Sequence, residues 1–318
     1  MATRLQQIMD GEVLVLSDDH LEAVVLPAHG GKISSLIDRR TGREWLWKNP
    51  YLDLKRPQPG DSYVRDHDTG GFDECFPAVS EGAFPVAPWQ DQRIPDHGEL
   101  WSVPWEAEVS EGGVTMVAST RLFPMRFARR MTLHEGTLRL DYQVSNPSDR
   151  PFPFIWSSHP LLALEEGMCI ELPEGHPLDV YGSDRLGDRH TPLVWPHVGE
   201  LDLSRVAPSG WSAKLAGPAP ARGWVGLTHQ DRMLRLGYDS AQVTDLGLWL
   251  NMGGWCPLPG KAPYFNLGLE PCIGWGDDLA YAIARGLSHG VLPPRGERRW
   301  FLELRFEDAE NPAEGGRI

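Results

Sequence analysis

The sequence predicts an all-β protein, built as a large antiparallel sandwich with few short helices. Its 318 residues include 28 Pro, 34 Gly and 13 Trp, a composition typical of many short strands joined by tight turns. Short apolar runs recur almost from end to end, and no long stretch rich in Ala, Glu, Lys and Leu interrupts them. Residues 50–110 and 170–225 are rich in Pro, Gly and Asp, so we expect broad loops over one sheet face.

Strand signals follow one another along the chain. Residues 13–16 and 23–26 are short apolar runs with a turn composition between them. The clearest hairpin spans residues 130–144, in which Gly136 supplies the positive φ that a tight turn needs. Apolar and polar residues alternate in its second strand, and again in the last strand at residues 300–306. This alternation predicts strands with one buried and one solvated face.

Helix signals are sparse, and the best of them covers residues 277–286. Acidic residues begin this segment and Gly286 ends it, as helix capping and the helix dipole favour. No linker, repeat or low-complexity block divides the chain, so we predict a single domain over residues 1–318 with its core at 11–306. The tail, residues 308–318, is expected to be disordered.

Composition and charge exclude several classes of function. The net charge is −14 and no basic run is present, which argues against a nucleic-acid partner and against an anionic membrane surface. No apolar run approaches the roughly 20 residues of a membrane span, and the first residues lack the apolar core of a signal peptide. The four cysteines are widely spaced, without a CxxC pair. We therefore expect a cytoplasmic protein with free thiols.

Three distant segments each carry one residue able to transfer a proton beside a Gly or a Pro. They are centred on His97, His159 and Glu270. Two imidazoles and one carboxylate could move a proton onto one oxygen of a sugar hemiacetal and off another. Each has a simpler interpretation, namely a surface-loop histidine, a satisfied core histidine and an exposed turn glutamate. The apolar surroundings of Glu270 favour function, because a carboxylate is rarely buried unless it is paired or used.

A second candidate is the acidic pair Asp73 and Glu74, in a Gly- and Phe-containing segment. In an extended chain these two side chains point in opposite directions, so both cannot face one ligand. Either could accept hydrogen bonds from sugar hydroxyls, or both could be solvated in a loop. Residues 66–68 contain Asp and His but lack the spacing of a metal site, so no metal is predicted. No phosphate-binding glycine motif or nucleophile elbow is present.

In these residues the chain resembles the aldose 1-epimerase, or galactose mutarotase-like, superfamily. The similarity runs from about Gly11 to Phe306 and is carried by the order and spacing of its segments rather than by any single motif. The segments are the early Gly30-Gly31 strand followed by a turn at Thr41-Gly42, His97-Gly98, His159-Pro160, Leu269-Glu270-Pro271, and residues 292–297 before the final strand.

The resemblance implies a β-supersandwich, a small-molecule sugar substrate and no cofactor. It implies Glu270 as the general base on the anomeric hydroxyl, His159 as the general acid on the ring oxygen, and His97 as a group that polarises the same region. Where many members place a sugar-contacting Gln, this chain has Trp249 and Asn251, and the Asn251 amide could serve in its place.

Two alternative functions remain open at this stage. A non-catalytic sugar-binding protein could use the same scaffold, because a fold does not determine a function. A hexose-phosphate epimerase would need cationic side chains in its pocket, for which Arg65, Arg93 and Lys261 are the candidates. We therefore include Arg65 among the predicted substrate-binding residues, with Asp73, Glu74, Trp249 and Asn251.

Overall fold

Two antiparallel β-sheets form the framework of the computed structural model, which describes residues 2–8, 11–58 and 60–309. Their strands are, in chain order, β1 (Ala2–Ile8), β2 (Gly11–Ser17), β3 (Leu21–Leu26), β4 (Lys32–Asp38), β5 (Arg43–Glu44), β6 (Gly71–Cys75), β7 (Gly82–Ala83), β8 (Arg93–Ile94), β9 (Glu106–Ser110), β10 (Gly113–Ser119), β11 (Arg126–His134), β12 (Thr137–Ser145), β13 (Phe152–Phe154), β14 (Trp156–Ala163), β15 (Cys169–Glu171), β16 (Pro177–Ser183), β17 (Pro192–Val194), β18 (His197–Val198), β19 (Leu201–Asp202), β20 (Ser212–Pro218), β21 (Trp224–His229), β22 (Arg232–Tyr238), β23 (Asp245–Met252), β24 (Phe265–Ile273), β25 (Gly290–Leu292) and β26 (Glu297–Asp308).

The larger sheet has the strand order β1-β2-β3-β4-β6-β14-β24-β23-β20-β16-β17-β18-β19, with β5 paired to β4. The smaller has the order β15-β21-β22-β26-β12-β11-β10-β9, and the pairs β13-β25 and β7-β8 stand apart. Apolar residues from both sheets form one buried cluster between them. The architecture is therefore the all-β antiparallel sandwich that the sequence predicts.

The predicted hairpin is strands β11 and β12. Glu135 and Gly136 both have positive φ, at 48° and 76°, as the two central residues of a type I′ turn require. The turn brings His134 opposite Thr137 and sets the register of the whole pair. The predicted alternation follows from this register, because the even-numbered residues of β12 are buried against the other sheet.

Helices are few and short in the described residues: α1 (Tyr63–Asp66), α2 (Leu279–Arg285), and 3-10 turns at Pro27–His29 and Leu100–Ser102. The helix predicted at 277–286 is α2. Its N-cap is Asp278, which accepts a hydrogen bond from the Tyr281 amide, and Gly286 closes it in the left-handed conformation. Asp277 therefore lies just outside the helix, and its carboxylate is available for the site described below.

The end of the chain corrects one prediction in part. Asp308, expected to begin a disordered tail, is the last residue of β26 and forms ion pairs with Arg40 and Arg232, both at 2.7 Å. The remainder of that predicted tail, residues 310–318, lies outside the described residues.

All four cysteines are free thiols. None of the helices in the described ranges is long and apolar enough to cross a membrane.

Candidate active site

Five neighbouring strands of the larger sheet form the floor of a cavity of about 410 Å³. They are β14, β24, β23, β20 and β16. Antiparallel pairing places residues of matching register side by side on one face, with Trp249 opposite both Lys214 and Gly268. Loops and α1 supply the walls. Of the sequence-predicted site residues, the cavity contains Glu270, His159, His97 and Trp249 in its lining.

Glu270 lies on β24 with only 1% of its surface exposed. Its Oε2 accepts hydrogen bonds from the Lys214 ammonium at 2.5 Å and the Ser157 hydroxyl at 3.2 Å. Its Oε1 has no hydrogen-bond partner among the described residues, and it lies 3.9 Å from Nε2 of His159. A buried carboxylate oxygen without a partner is costly, so its position is that of an acceptor for a ligand hydroxyl.

Two glycines make room for this carboxylate on the sheet surface. A Cβ on Gly268 would lie 2.5 Å from Oε1 of Glu270 and 2.9 Å from the Cβ of Trp249. A Cβ on Gly247, which pairs with Glu270 across the strands, would lie 3.1 Å from Oε2. The carboxylate thus occupies space that neighbouring side chains would otherwise fill, and any larger residue at position 268 would displace it.

Lys214 and Asp277 complete a buried charge cluster with Glu270. The Lys214 ammonium lies 3.4 Å from Oδ1 of Asp277 as well as 2.5 Å from Glu270. Burial alone would lower the pKa of Lys214, but the carboxylates of Asp277 and Glu270 outweigh it and hold that pKa well above its usual range. Burial raises the pKa of Asp277, against the opposing effect of Lys214. Lys214 is therefore a permanent cation and a poor nucleophile.

His159 lies on β14, and its Nδ1 atom is hydrogen-bonded to the hydroxyl of Tyr63. The Tyr63 hydroxyl donates to Oδ2 of Asp73 at 2.8 Å and lies 3.3 Å from Nδ1 of His159. The Tyr63 hydroxyl has one proton, and it is directed to the Asp73 carboxylate. The hydrogen bond between Tyr63 and His159 is therefore best made by Nδ1–H of His159 donating to the Tyr63 oxygen. Burial raises the pKa of Tyr63 well above its usual value, and Asp73 adds to this, so the phenol stays protonated.

The imidazole of His159 is neutral at neutral pH. Burial, reinforced by the nearby positive charges of His97 and Lys214, lowers the pKa of His159 well below its ordinary value. With Nδ1 carrying the proton, Nε2 presents a lone pair towards Glu270 and the cavity.

His97 enters the cavity from the loop after β8. It has a φ of 59°, unusual for a residue with a side chain, and is fixed by its amide, which donates to the Val79 carbonyl at 2.7 Å. Its ring stacks on Tyr63 with centroids 4.1 Å apart and meets the His159 ring edge-on at 5.1 Å. Nδ1 of His97 and Oδ1 of Asp96 are 2.7 Å apart. Burial acts to raise the pKa of Asp96, but the hydrogen bond and charge of His97 together with hydrogen bonds from Val64 and Ser62 outweigh it, and the net shift is downward.

Asp73 and Glu74 point to opposite sides of the sheet, as their adjacency predicts. Asp73 lies behind Tyr63 and is paired with the Lys32 ammonium at 2.5 Å, so it supports the site without lining the cavity. Glu74 faces the core between the sheets and is fully buried. Arg129 and the Tyr142 hydroxyl donate to its Oε1, and the Trp156 indole donates to its Oε2. Its carboxylate is therefore not available to a ligand in the cavity, and we correct its assignment to a structural one.

Of the three remaining predicted binding residues, Trp249 lines the cavity, whereas Asn251 and Arg65 do not. Trp249 lines the cavity, with its ring edge-on to Trp255 at 5.5 Å. Asn251 is buried outside the cavity, where its amide donates to the Trp255 carbonyl and accepts from the Gly254 and Trp255 amides. Arg65 is exposed on α1 and borders a neighbouring groove instead. The amide of Asn251 thus shapes a loop, because its groups are used by backbone.

Sequence reasoning missed several residues that line the cavity, namely Tyr63, Lys214, Trp255, Asn266 and Asp277. Asn266 is buried, and its Oδ1 is without a partner in the described part of the chain, as is Oε1 of Glu270. The sequence could have indicated Asn266, because residues 266, 268 and 270 share one face of a strand and Glu270 was already a predicted site residue. The structure's described residues contain no group of three or more His, Cys, Asp or Glu that could hold a metal ion.

The fold is shared with several solved structures of low sequence identity. A putative aldose 1-epimerase from Escherichia coli K12 is 16% identical, with a TM-score of 0.68 over 93% of this chain and 99% of the other. A galactose mutarotase-like protein from Clostridium acetobutylicum is 15% identical, with a TM-score of 0.69 over 97% and 99%. One from Lactobacillus casei ATCC 334 is 16% identical, with a TM-score of 0.63 over 93% and 100%. These likenesses define the galactose mutarotase-like β-sandwich as the fold class.

The family follows from the sequence itself. The model of the aldose 1-epimerase family matches residues 12–187, more than half of the chain, and the protein belongs to that family. The matched range contains His97 and His159, whereas Lys214 and Glu270 lie beyond it. No curated protein matches the chain.

Proposed function

We propose that the protein is an aldose mutarotase that interconverts the α and β anomers of a neutral sugar. One observation carries the proposal: a carboxylate oxygen of Glu270 that has no hydrogen-bond partner among the described residues lies 3.9 Å from a ring nitrogen of His159, in a cavity that His97 also lines. A base and an imidazole so close can act on two oxygens attached to the same anomeric carbon.

The reaction needs only proton transfers. Glu270 takes the proton of the anomeric hydroxyl as an acid protonates the ring oxygen, and the bond between C1 and that oxygen breaks to leave an aldehyde. Rotation about C1–C2 presents the other face of the carbonyl. The hydroxyl that was freed by ring opening then adds to the carbonyl carbon and gives its proton to the conjugate base of the acid. At the same time, protonated Glu270 gives its proton to the carbonyl oxygen. Nothing is consumed, and each positioned group contributes about 10²–10⁴-fold.

The hydrogen bonds support His97 as the acid, whereas the family resemblance implies His159. Nε2 of His159 presents a lone pair, because its Nδ1–H is directed to Tyr63, so it can accept a hydrogen bond from a sugar hydroxyl. Nδ1 of His97 lies against the Asp96 carboxylate, so a doubly protonated His97 ring would donate Nδ1–H to Asp96 and keep Nε2–H for the sugar. Glu270 remains the base in either assignment.

The charges of the cavity favour an uncharged sugar over a hexose phosphate. Within the described residues, Lys214 alone contributes a Lys or Arg to the lining, and two carboxylates already neutralise it. Asp96 and Asp184 add further negative charge to the walls. A phosphate would meet net repulsion here, because phosphate sites rely on unpaired Arg or Lys.

NMR saturation transfer between the α and β anomers, on a panel of aldoses, tests the proposal. The wild type should accelerate exchange of at least one aldose, and Glu270→Gln should reduce that acceleration at least about 100-fold. Glu165→Gln, at a surface ion pair with Arg43, is the matched control. Saturable sugar binding without faster exchange in the wild type would instead indicate a sugar-binding protein.

The two histidines can be separated by their effects on kcat and KM. If His97 is the acid, His97→Asn should lower kcat about 100-fold or more with little change in KM. His159→Asn, which removes a hydrogen-bond acceptor, should chiefly raise KM. The reverse pattern would return the acid assignment to His159.

A further inference from the structure

The catalytic cavity continues into a groove of about 1010 Å³ on the same side of the molecule. Val64, Asp96, Trp255 and Pro257 line both, so the two spaces are directly adjacent. A cavity of 410 Å³ is at the small end of the range of roughly 300–1,000 Å³ for ligand sites, and the groove adds more than twice that volume beside it. A ligand in the cavity can therefore extend into the groove.

Trp255 stands at the junction in an exposed but fixed position. Its side chain is 37% exposed, among the highest values for a large apolar residue in the described chain. Its backbone is held by Asn251 on both sides, and its carbonyl accepts from the Tyr264 amide at 2.9 Å. A large ring that is both solvated and immobilised is suited to stacking against the apolar face of a ligand.

The groove walls carry both signs of charge and one unsatisfied acceptor. Arg65, Arg93 and Arg121 line it together with Asp61, Glu81, Asp96 and Glu99. Glu99 is only 3% exposed, and its Oε2 accepts from the Arg121 and Leu122 amides. Its Oε1 has no hydrogen-bond partner within the described residues, as is true of Oε1 of Glu270 in the cavity. Charges of both signs that largely offset one another, a stacking ring and a free acceptor suit a neutral partner rich in hydroxyl groups.

From this arrangement we propose that the substrate is a reducing disaccharide or longer oligosaccharide. The reducing-end ring lies in the catalytic cavity, and the next sugar stacks on Trp255 and donates hydroxyl hydrogen bonds in the groove. The proposal rests on the mutarotase function, because that function places the reducing end at Glu270. It adds a second sugar subsite, lined by Trp255, Glu99 and Arg121.

The test compares kcat/KM for anomer exchange of maltose, cellobiose and lactose with that of glucose and galactose. We expect at least one disaccharide to exceed both monosaccharides by about tenfold or more, a difference that one stacked ring and one hydrogen bond can supply. Trp255→Ala should remove most of that advantage. Arg121→Ala, in the groove only, should raise KM for the disaccharide and leave monosaccharide exchange unchanged. Trp224→Ala, at a half-buried Trp on the other sheet, is the matched control.

The outcomes separate this inference from the function on which it rests. Accelerated exchange of monosaccharides, with no disaccharide preferred and no disaccharide-specific effect of Trp255→Ala or Arg121→Ala, would overturn the oligosaccharide proposal and leave the mutarotase intact. No acceleration of any sugar, mono- or disaccharide, would overturn both.

Discussion

The ammonium of Lys214 lies 2.5 Å from Oε2 of Glu270, in a site where both side chains are at least nine-tenths buried. The two residues are 56 positions apart in sequence and two strands apart in the larger sheet. This pair fixes Oε2, which leaves the other oxygen, Oε1, without a hydrogen-bond partner among the described residues. In the proposed mechanism Glu270 is therefore a base whose orientation depends on a neighbouring cation.

Removal of that cation should impair both activity and stability. Lys214→Met leaves the buried Glu270 and Asp277 carboxylates without their counter-charge, so we expect kcat at pH 7 to fall about 100-fold. The free energy of unfolding should fall by about 3 kcal/mol. Lys48→Met, at an exposed pair with Glu44, serves as control for both assays. Wild-type kcat in Lys214→Met would refute this account of the pair.

Gly268→Ala tests the packing of the Glu270 carboxylate. The new Cβ would lie 2.5 Å from Oε1 of Glu270, so the carboxylate must move. A displacement of about 1 Å can cost on the order of 100-fold in kcat, and we expect a loss of that size in the exchange assay. Gly82→Ala provides the control, because a Cβ there meets nothing within 4 Å. Equal activity of the two variants would show that the carboxylate position is not critical.

His159 makes the folded state sensitive to acid. Its pKa is depressed in the fold, chiefly by burial, so below about pH 6.5 the unfolded chain binds a proton that the folded protein does not. Stability from this group is therefore present above that pH and is lost as the pH falls, by up to about 1.4 kcal/mol per unit. Urea unfolding of His159→Asn at pH 5 and 7 should show a smaller pH dependence than wild type. His134→Asn, which is exposed, should match wild type, and a His159→Asn slope equal to wild type would contradict the account.

Glu74→Gln should affect folding rather than sugar binding. It leaves the fully buried guanidinium of Arg129 without its counter-charge, and we expect a loss of about 3 kcal/mol in the free energy of unfolding. Chemical denaturation measures this, and Glu22→Gln at a surface pair with Arg39 should cost less than about 1 kcal/mol. A raised KM in Glu74→Gln with unchanged stability would show that Glu74 contacts the substrate after all.

The sequence predicted features that depend on local geometry. The hairpin turn at Glu135 and Gly136 and the caps of α2 follow from residues within a few positions of one another. The opposite directions of Asp73 and Glu74 follow from the two-residue period of a strand. Which of the two lies in the core between the sheets does not follow from this period, because that depends on which side of the sheet packs on Arg129.

The residues that sequence reasoning missed belong to long-range pairing. Lys214 reaches Glu270 because β20, β23 and β24 are adjacent in a sheet whose strand order differs from chain order. Tyr63 and Arg65 are two positions apart on α1, a separation that places them on different sides of a helical turn. Tyr63 is therefore buried beneath His97, whereas Arg65 is exposed. Polarity alone favoured Arg65, since a lone tyrosine in a loop carries no directional signal.

A crystal structure of the Glu270→Gln variant with a bound aldose is the most direct test of the central claim. That claim is that Glu270 and both histidines converge on one sugar ring. We predict the anomeric oxygen within about 3 Å of the residue 270 side chain and the ring oxygen facing His97 or His159. A sugar bound with its anomeric carbon directed away from residue 270, or outside this cavity, would contradict the account.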